Sequence, residues 1–132
     1  MIGAVVVTHG QLANELVSSA EMIVGEVPYI VPLSIGWHDD VNESRQEIER
    51  KIRAVDQGKG VLVLTDMSGG TPSNIALSLL ERDRVEILTG VNLPMILKLA
   101  NQNEDDTLES LARRVRDQGK KHITLASELL KT

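Results

Sequence analysis

Residues 61–72 read VLVLTDMSGGTP: a continuous apolar run, then a polar, glycine-rich turn, then the start of a helix. The run Val61–Leu64 shows no polar alternation, which is typical of a short strand buried on both faces of a sheet. At the helix start, Thr71 is predicted to cap the first turn with its hydroxyl, and Pro72 suits the first helical position. This strand–turn–helix unit predicts a sheet whose faces are covered by helices.

Further apolar runs predict the other strands. Ile2–Val7 (IGAVVV) and Val85–Leu88 (VEIL) are rich in β-branched residues. Tyr29–Leu33 is a weaker candidate, because the prolines at positions 28 and 32 suit the edge of a sheet better than its centre. A last strand is predicted at His122–Leu125.

Apolar residues at helical spacing separate these runs, and Gly58 and Gly119 are predicted to end the second and fifth helices. Strands that alternate with helices indicate βαβ units with right-handed crossovers. We therefore predict an α/β fold with three layers, a mostly parallel open sheet flanked by helices, in one domain over residues 1–132. The apolar positions of the predicted helices are Leu12, Ala13, Leu16, Val17, Ala20, Ile23 and Val24; Val41, Ile48, Ile52 and Val55; Ile75, Ala76, Leu79 and Leu80; Leu97 and Ala100, after Pro94; and Leu108, Leu111, Ala112 and Val115.

The composition limits the classes of function. A net charge of −5 disfavours a nucleic-acid binder, and with no Phe, one Trp and one Tyr the chain lacks aromatic platforms for stacking bases. The absence of Cys excludes disulfides and zinc–cysteine sites. No apolar stretch approaches the ~20 residues that span a bilayer, and the sequence opens without a signal-peptide pattern. We expect a cytoplasmic protein with no direct membrane insertion.

Polar residues follow two of the predicted strands. In open α/β sheets, ligands bind outside the carboxyl ends of the strands. Thr8-His9-Gly10 follows the first strand, and Asp66 follows the strand at Val61–Leu64. If these strands are neighbours, His9 and Asp66 face each other. Asp66 would then accept the hydrogen of one ring nitrogen and leave the other nitrogen as a nucleophile.

The glycine-rich turn is suited to an anion. The backbone N–H groups of Gly69 and Gly70 can approach an anion closely, and Thr71 can add a hydroxyl. The helices that start near Gly10 and Pro72 each present a partial positive charge. This combination predicts a site for a phosphoryl group held on nitrogen. Taken singly, each part also has an ordinary structural explanation: a hydrogen-bonded histidine, an Asx-turn and a turn before a capped helix.

Three blocks of the sequence resemble one family. They are Val6–Gly10 (VVTHG), Leu64–Asn74 (LTDMSGGTPSN) and Gly90–Met95 (GVNLPM). In this order they resemble the mannose-family IIA component of the bacterial sugar phosphotransferase system, along nearly the whole chain. The resemblance implies a domain that takes a phosphoryl group from the histidine-containing phosphocarrier protein and passes it to a separate IIB component.

The resemblance also implies roles for single residues. His9 would be phosphorylated, Asp66 would orient its ring, and Thr71 would lie near the phosphate. A final antiparallel strand, His122–Leu125, would be exchanged between the subunits of a homodimer. No cofactor or metal is expected, because backbone dipoles and hydroxyls form the cradle. The sugar, and the choice between transport and regulation, are left open.

Some positions depart from the family pattern. Met67-Ser68 stands where an aromatic residue often occurs, so contacts with partners are expected to differ. His38 lies in a connection that often lacks a histidine, and we expect it in an exposed loop. His122 is expected to be structural.

Other functions fit the residues less well. A receiver domain phosphorylated on Asp66 would need acidic residues near the first strand to hold Mg²⁺, and a histidine phosphatase would need an arginine where Thr8 stands. A metal-binding enzyme similar to the cobalamin- and sirohaem-pathway chelatases would need ligands beside His9, which His38 or Asp66 could supply. A pure binding module would use the cradle without a nucleophile. The phosphotransfer subunit that serves dihydroxyacetone kinases has a similar domain and stays an alternative.

Overall fold

The computed structural model describes residues 1–36 and 39–130. Within them, strands and helices alternate along the chain until the last two helices. The strands are β1 Gly3–His9, β2 Ile30–Ile35, β3 Val61–Thr65 and β4 Val85–Thr89. The helices are α1 Leu12–Val24, α2 Val41–Val55, α3 Thr71–Leu77, α4 Leu93–Ala100, α5 Leu108–Lys121 and α6 Ala126–Leu129.

The sheet is parallel, with the strand order β2-β1-β3-β4. The central strand β1 pairs with β3 so that Val7 lies opposite Thr65, and with β2 so that Val7 lies opposite Leu33. The carboxyl ends of β1 and β3 therefore meet at one edge of the sheet. Strand β2, which contains Pro32, is an edge strand as predicted. The predicted α/β class is confirmed.

A hydrophobic core lies on each face of the sheet. Successive residues of β1 alternate between the two cores: Val6 packs with residues of α1, α4 and α5, whereas Val5 and Val7 pack with α2 and α3. All three valines are 0% exposed. Burying one such side chain stabilises the fold by roughly 1.5–3 kcal/mol. Both faces of the strands are covered, as predicted, and this explains why their apolar runs are not interrupted by polar residues. No helix of the described residues is both long enough and apolar enough to cross a membrane.

Two predicted helix ends differ from the structure. Gly70 is the N-cap of α3 and Thr71 is already its first residue, so the Thr71 hydroxyl is not the cap. Helix α2 is capped by Asp56 rather than ended by Gly58, which lies two residues beyond in the left-handed region with φ +90°.

The end of α5 is also corrected. Gly119 does not end this helix, which runs on to Lys121. Gly119 instead lets α5 approach α4, because a Cβ there would lie 2.7 Å from the Met95 sulfur.

The C-terminal strand is absent from the described chain. His122 caps α5, residues 123–125 belong to no element, and α6 follows. Ile123 and Leu125 are 76% and 64% exposed, so they have no sheet to pack on within one chain. The prediction of a strand at His122–Leu125 is therefore wrong for a single described chain. Its exchange between two copies requires a second chain and stays a prediction.

Candidate functional site

The structure brings His9 and Asp66 together. His9 is the last residue of β1, and Asp66 follows β3 directly. The ring Nδ1 of His9 lies 2.7 Å from Asp66 Oδ2, and the backbone N–H of His9 donates to the same oxygen at 3.0 Å. The second carboxylate oxygen, Oδ1, accepts the N–H of Met67 at 3.0 Å. One carboxylate thus holds both the main chain and the ring of His9.

The charge of Asp66 determines which ring nitrogen of His9 is bare. Burial alone would raise the pKa of Asp66, but hydrogen bonds from the His9 backbone and ring outweigh burial, and the pKa of the carboxyl is lowered. An ionised carboxylate can only accept hydrogen bonds, so in neutral His9 the hydrogen lies on Nδ1. Nε2 then keeps its lone pair, on a side chain that is 45% exposed. The contact with Asp66 thus leaves Nε2 as the ring nitrogen with a free lone pair.

The glycine-rich turn lies against this ring. A Cβ at Gly70 would stand 2.9 Å from His9 Cε1 and 3.6 Å from His9 Nε2, so glycine is needed for the close approach. Gly69 has φ +84°, a left-handed conformation that other residues rarely adopt. Thr71 follows at the exposed start of α3, where the first backbone N–H groups lack partners within the helix. Of the turn residues predicted to hold an anion, Gly70 therefore lies beside Nε2.

Gly10 turns the chain away from β1. Its φ is +53°, in the left-handed region, and its N–H donates to the carbonyl of Ile35 at 3.2 Å. Gly10 thus forms the turn that separates His9 from α1, and its contact with a phosphate stays a prediction.

Thr8 is a residue whose role the sequence reasoning missed. Its side chain is fully buried, and its hydroxyl accepts the N–H of Ala13 at 2.7 Å. The signal in the sequence was weak, because a threonine at the end of an apolar strand looks like any other β-branched strand residue.

The block Gly90–Met95 is hydrogen-bonded to the residue that precedes Asp66. The N–H of Val91 donates to the carbonyl of Thr65 at 2.9 Å, beside Asp66. Asn92 accepts the N–H of Met95 and donates to the carbonyl of Gly119, both at 3.2 Å. This block therefore fixes the loop after β4 to the ends of β3 and α5.

Of the two other histidines, the structure describes only His122. His38 is outside the described residues. His122 ends α5, where its Nε2 accepts a hydrogen bond from the Gln118 amide at 2.9 Å. Within residues 1–36 and 39–130, no group of three or more His, Asp or Glu side chains is placed to hold a metal ion. The chelatase alternative gains no support from the described part of the chain.

Known proteins are similar to this chain in sequence and in fold. Residues 3–116 match a family model described as the PTS system fructose IIA component. The mannose-specific EIIAB component of Escherichia coli is 35% identical over 111 residues, which are 80% of this chain and 33% of that protein. The fructose-specific EIIA component of Bacillus subtilis is 27% identical over 131 residues, 98% of this chain and 90% of that one. The crystal structure of phosphotransferase system component EIIA from Streptococcus agalactiae superposes with a TM-score of 0.83 at 30% identity, covering 97% of this chain and 99% of that one. The chain thus spans about a third of the length of its EIIAB relatives and most of the length of the EIIA proteins.

Proposed function

This chain belongs to the family of PTS system fructose IIA components, and we propose that it carries a phosphoryl group on His9 from one protein to another. Membership confirms the resemblance to the mannose-family IIA components. The observation that carries the proposal is the 2.7 Å contact of His9 Nδ1 with Asp66, which leaves Nε2 bare beside Gly70. A histidine that served only the fold would not need an exposed free nitrogen facing a glycine.

The proposed reaction is a displacement at phosphorus. The lone pair of His9 Nε2 attacks the phosphorus of a phosphohistidine on the donor. The N–P bond of the donor breaks, and the donor's ring nitrogen keeps the electron pair. The ring of His9 gains positive charge while Nδ1 keeps its hydrogen, and the carboxylate of Asp66 offsets that charge. Attack by a nucleophile of the acceptor on the same phosphorus then regenerates neutral His9.

The phosphoryl oxygens would be held by neutral groups of this chain. The loops at the carboxyl ends of the strands, residues 10–11, 36–40, 66–70 and 90–92, contain neither Lys nor Arg. We therefore assign the offset of negative charge on the phosphoryl group to N–H groups of Gly69 and Gly70, to the Thr71 hydroxyl and to the start of α3. Gly10 sets the position of His9 through its turn.

The proposed partners follow from the family. We take the donor to be the histidine-containing phosphocarrier protein and the acceptor to be a IIB component. The exposed Nε2 supports transfer between proteins, because a macromolecular donor can reach it directly. We also propose a homodimer in which the segment at His122–Leu125 is exchanged, since among the described residues no second strand lies along the outer side of β4, which pairs there only at Val85 with Glu81.

Labelling tests the relay. The protein is incubated with radiolabelled phosphoenolpyruvate, the general phosphotransferase enzyme and the phosphocarrier protein, and the label is mapped by peptide. We expect acid-labile label on His9, none in His9→Ala, and undiminished label in His122→Ala, the matched histidine control. Absence of label from the wild type, or label that persists in His9→Ala, would rule the proposal out.

A further inference from the structure

We propose that Thr8 is a positioning residue for His9, acting through the turn between β1 and α1. Thr8 immediately precedes His9 and is 0% exposed, so it touches neither donor nor acceptor. Its side chain lies on the face of β1 opposite to His9, since successive residues of a strand alternate. Any influence on the transfer must pass through the main chain.

The Thr8 hydroxyl takes the place of a helix cap. The N-cap residue of α1, Gln11, makes no capping hydrogen bond with its side chain. The N–H of Ala13, the second residue of the helix, instead donates to Thr8 Oγ1 at 2.7 Å, across five residues. A buried N–H without such a partner would be costly. The hydroxyl therefore ties the start of α1 to the end of β1.

The same hydroxyl also holds His9. Its hydrogen is directed to the carbonyl oxygen of His9 at 3.2 Å. The N–H on the other side of His9 donates to Asp66 at 3.0 Å. The backbone of His9 is thus held at its N–H and at its carbonyl, and from this backbone position the ring reaches Asp66 Oδ2. Small errors in the placement of a reacting group can lower a rate by about a hundredfold.

A cap that served stability alone would behave differently. Its loss would lower the free energy of unfolding, but the folded molecules would keep the contact of His9 with Asp66. If Thr8 positions His9, loss of the Thr8 hydroxyl must also alter His9 in molecules that are folded. The state of the His9 ring is therefore the decisive readout.

The experiment compares three variants with the wild type. Thr8→Val removes the hydroxyl and keeps the shape, whereas Thr8→Ser keeps the hydroxyl. Thr107→Val is the matched control, because the Thr107 hydroxyl accepts the N–H of Ser110 at 3.1 Å and caps α5. Thr107 lies near Lys59 and Asp83, which precede β3 and β4, at the edge of the sheet opposite to His9. Ring-nitrogen NMR of His9, thermal unfolding and the rate of labelling are measured for each.

We expect Thr8→Val to lower the share of ring with hydrogen on Nδ1 and to slow labelling between about tenfold and a hundredfold, with Thr8→Ser close to the wild type. Thr107→Val should lose thermal stability while its His9 signals and labelling rate stay unchanged. If Thr8→Val does not fold, Thr8→Ala takes its place. Unaltered ring signals and an unaltered labelling rate in a folded hydroxyl-free variant would overturn the inference.

The labelling readout rests on the proposed function, whereas the NMR readout does not. A wild type that takes no label would defeat the relay and leave the ring signals as the test of Thr8. A wild type that is labelled, with Thr8→Val indistinguishable from it in rate and ring signals, would defeat only the role of Thr8.

Discussion

At His9, ring and main chain share one acceptor, and this makes Asp66 both an orienting group and a structural one. Asp66 accepts N–H groups from His9 and Met67 on its two oxygens, and its side chain is 12% exposed. An asparagine in its place keeps one oxygen that can accept the backbone N–H of His9, but loses the second acceptor oxygen and the negative charge. We therefore expect Asp66→Asn to keep the fold and to impair phosphoryl transfer.

We expect Asp66→Asn to slow phosphoryl transfer about a hundredfold or more, because a neutral amide supports the required tautomer of His9 less well and does not offset the positive charge of the phosphorylated ring. Its circular dichroism spectrum should match the wild type. Labelling kinetics measure the rate, and His9 ring-nitrogen NMR measures the tautomer. Transfer at the wild-type rate by a variant with the wrong tautomer would show that Asp66 does not orient the ring.

Gly70 allows a sharper test of the cradle, because its backbone suits any residue. Its φ of −86° is ordinary, so Gly70→Ala brings no backbone strain, only a methyl group 2.9 Å from His9 Cε1. We expect the ring to be pushed aside and transfer to fall about tenfold or more, with little change in unfolding temperature.

Gly58→Ala is the converse control. Its φ of +90° strains alanine, with nothing within 4 Å, so stability should fall by about 1 kcal/mol while transfer is unchanged. Equal transfer by Gly70→Ala and the wild type would exclude a close approach of the turn to Nε2.

At the scale of the element, the sequence predicts correctly the strands whose burial follows from a local apolar pattern. It predicts less well the buried face of a helix, which depends on the elements packed against it. Runs such as Val61–Leu64 predicted buried strands correctly, because burial on both faces leaves no room for polar residues. In α1 the buried face is formed by small residues, Ala13 and Ala20 among them, which let the helix approach the sheet. Leu12 and Ile23, predicted on that face, are 46% and 61% exposed at the two ends of the helix, beyond the core.

The site shows the same division. The residue types of His9, Asp66 and the glycine turn indicated the chemistry, but their meeting was conditional on β1 and β3 being neighbours. The strand order β2-β1-β3-β4 supplies that condition, and it is a property of packing rather than of either motif. The hydroxyl of Thr8 could not be placed from sequence, because its partner, the N–H of Ala13, is a backbone group that every residue but proline carries.

At the scale of the whole molecule, the segment after α5 is unusual because its large apolar side chains are exposed to solvent. The segment after α5 exposes Ile123, Leu125, Leu129 and Leu130 at 76%, 64%, 63% and 84%. Among the described residues β4 is an edge strand whose outer side pairs with the main chain only at Val85, through Glu81. Each large side chain buried would stabilise an assembly by roughly 1.5–3 kcal/mol. A second copy that exchanged this segment would cover both the apolar side chains and the strand edge.

We therefore expect the protein to sediment as a dimer, and the double variant Ile123→Asp, Leu125→Asp to sediment as a monomer, because two charges would have to be buried against the partner. Met22→Asp is the matched control: Met22 is 87% exposed near the end of α1, outside the segment, and its variant should stay dimeric. Analytical ultracentrifugation over a range of concentrations measures the mass. A monomeric wild type, or a double variant as dimeric as the control, would contradict the exchange of this segment. Since His9 and Asp66 belong to the same chain, the monomeric variant should still take label on His9.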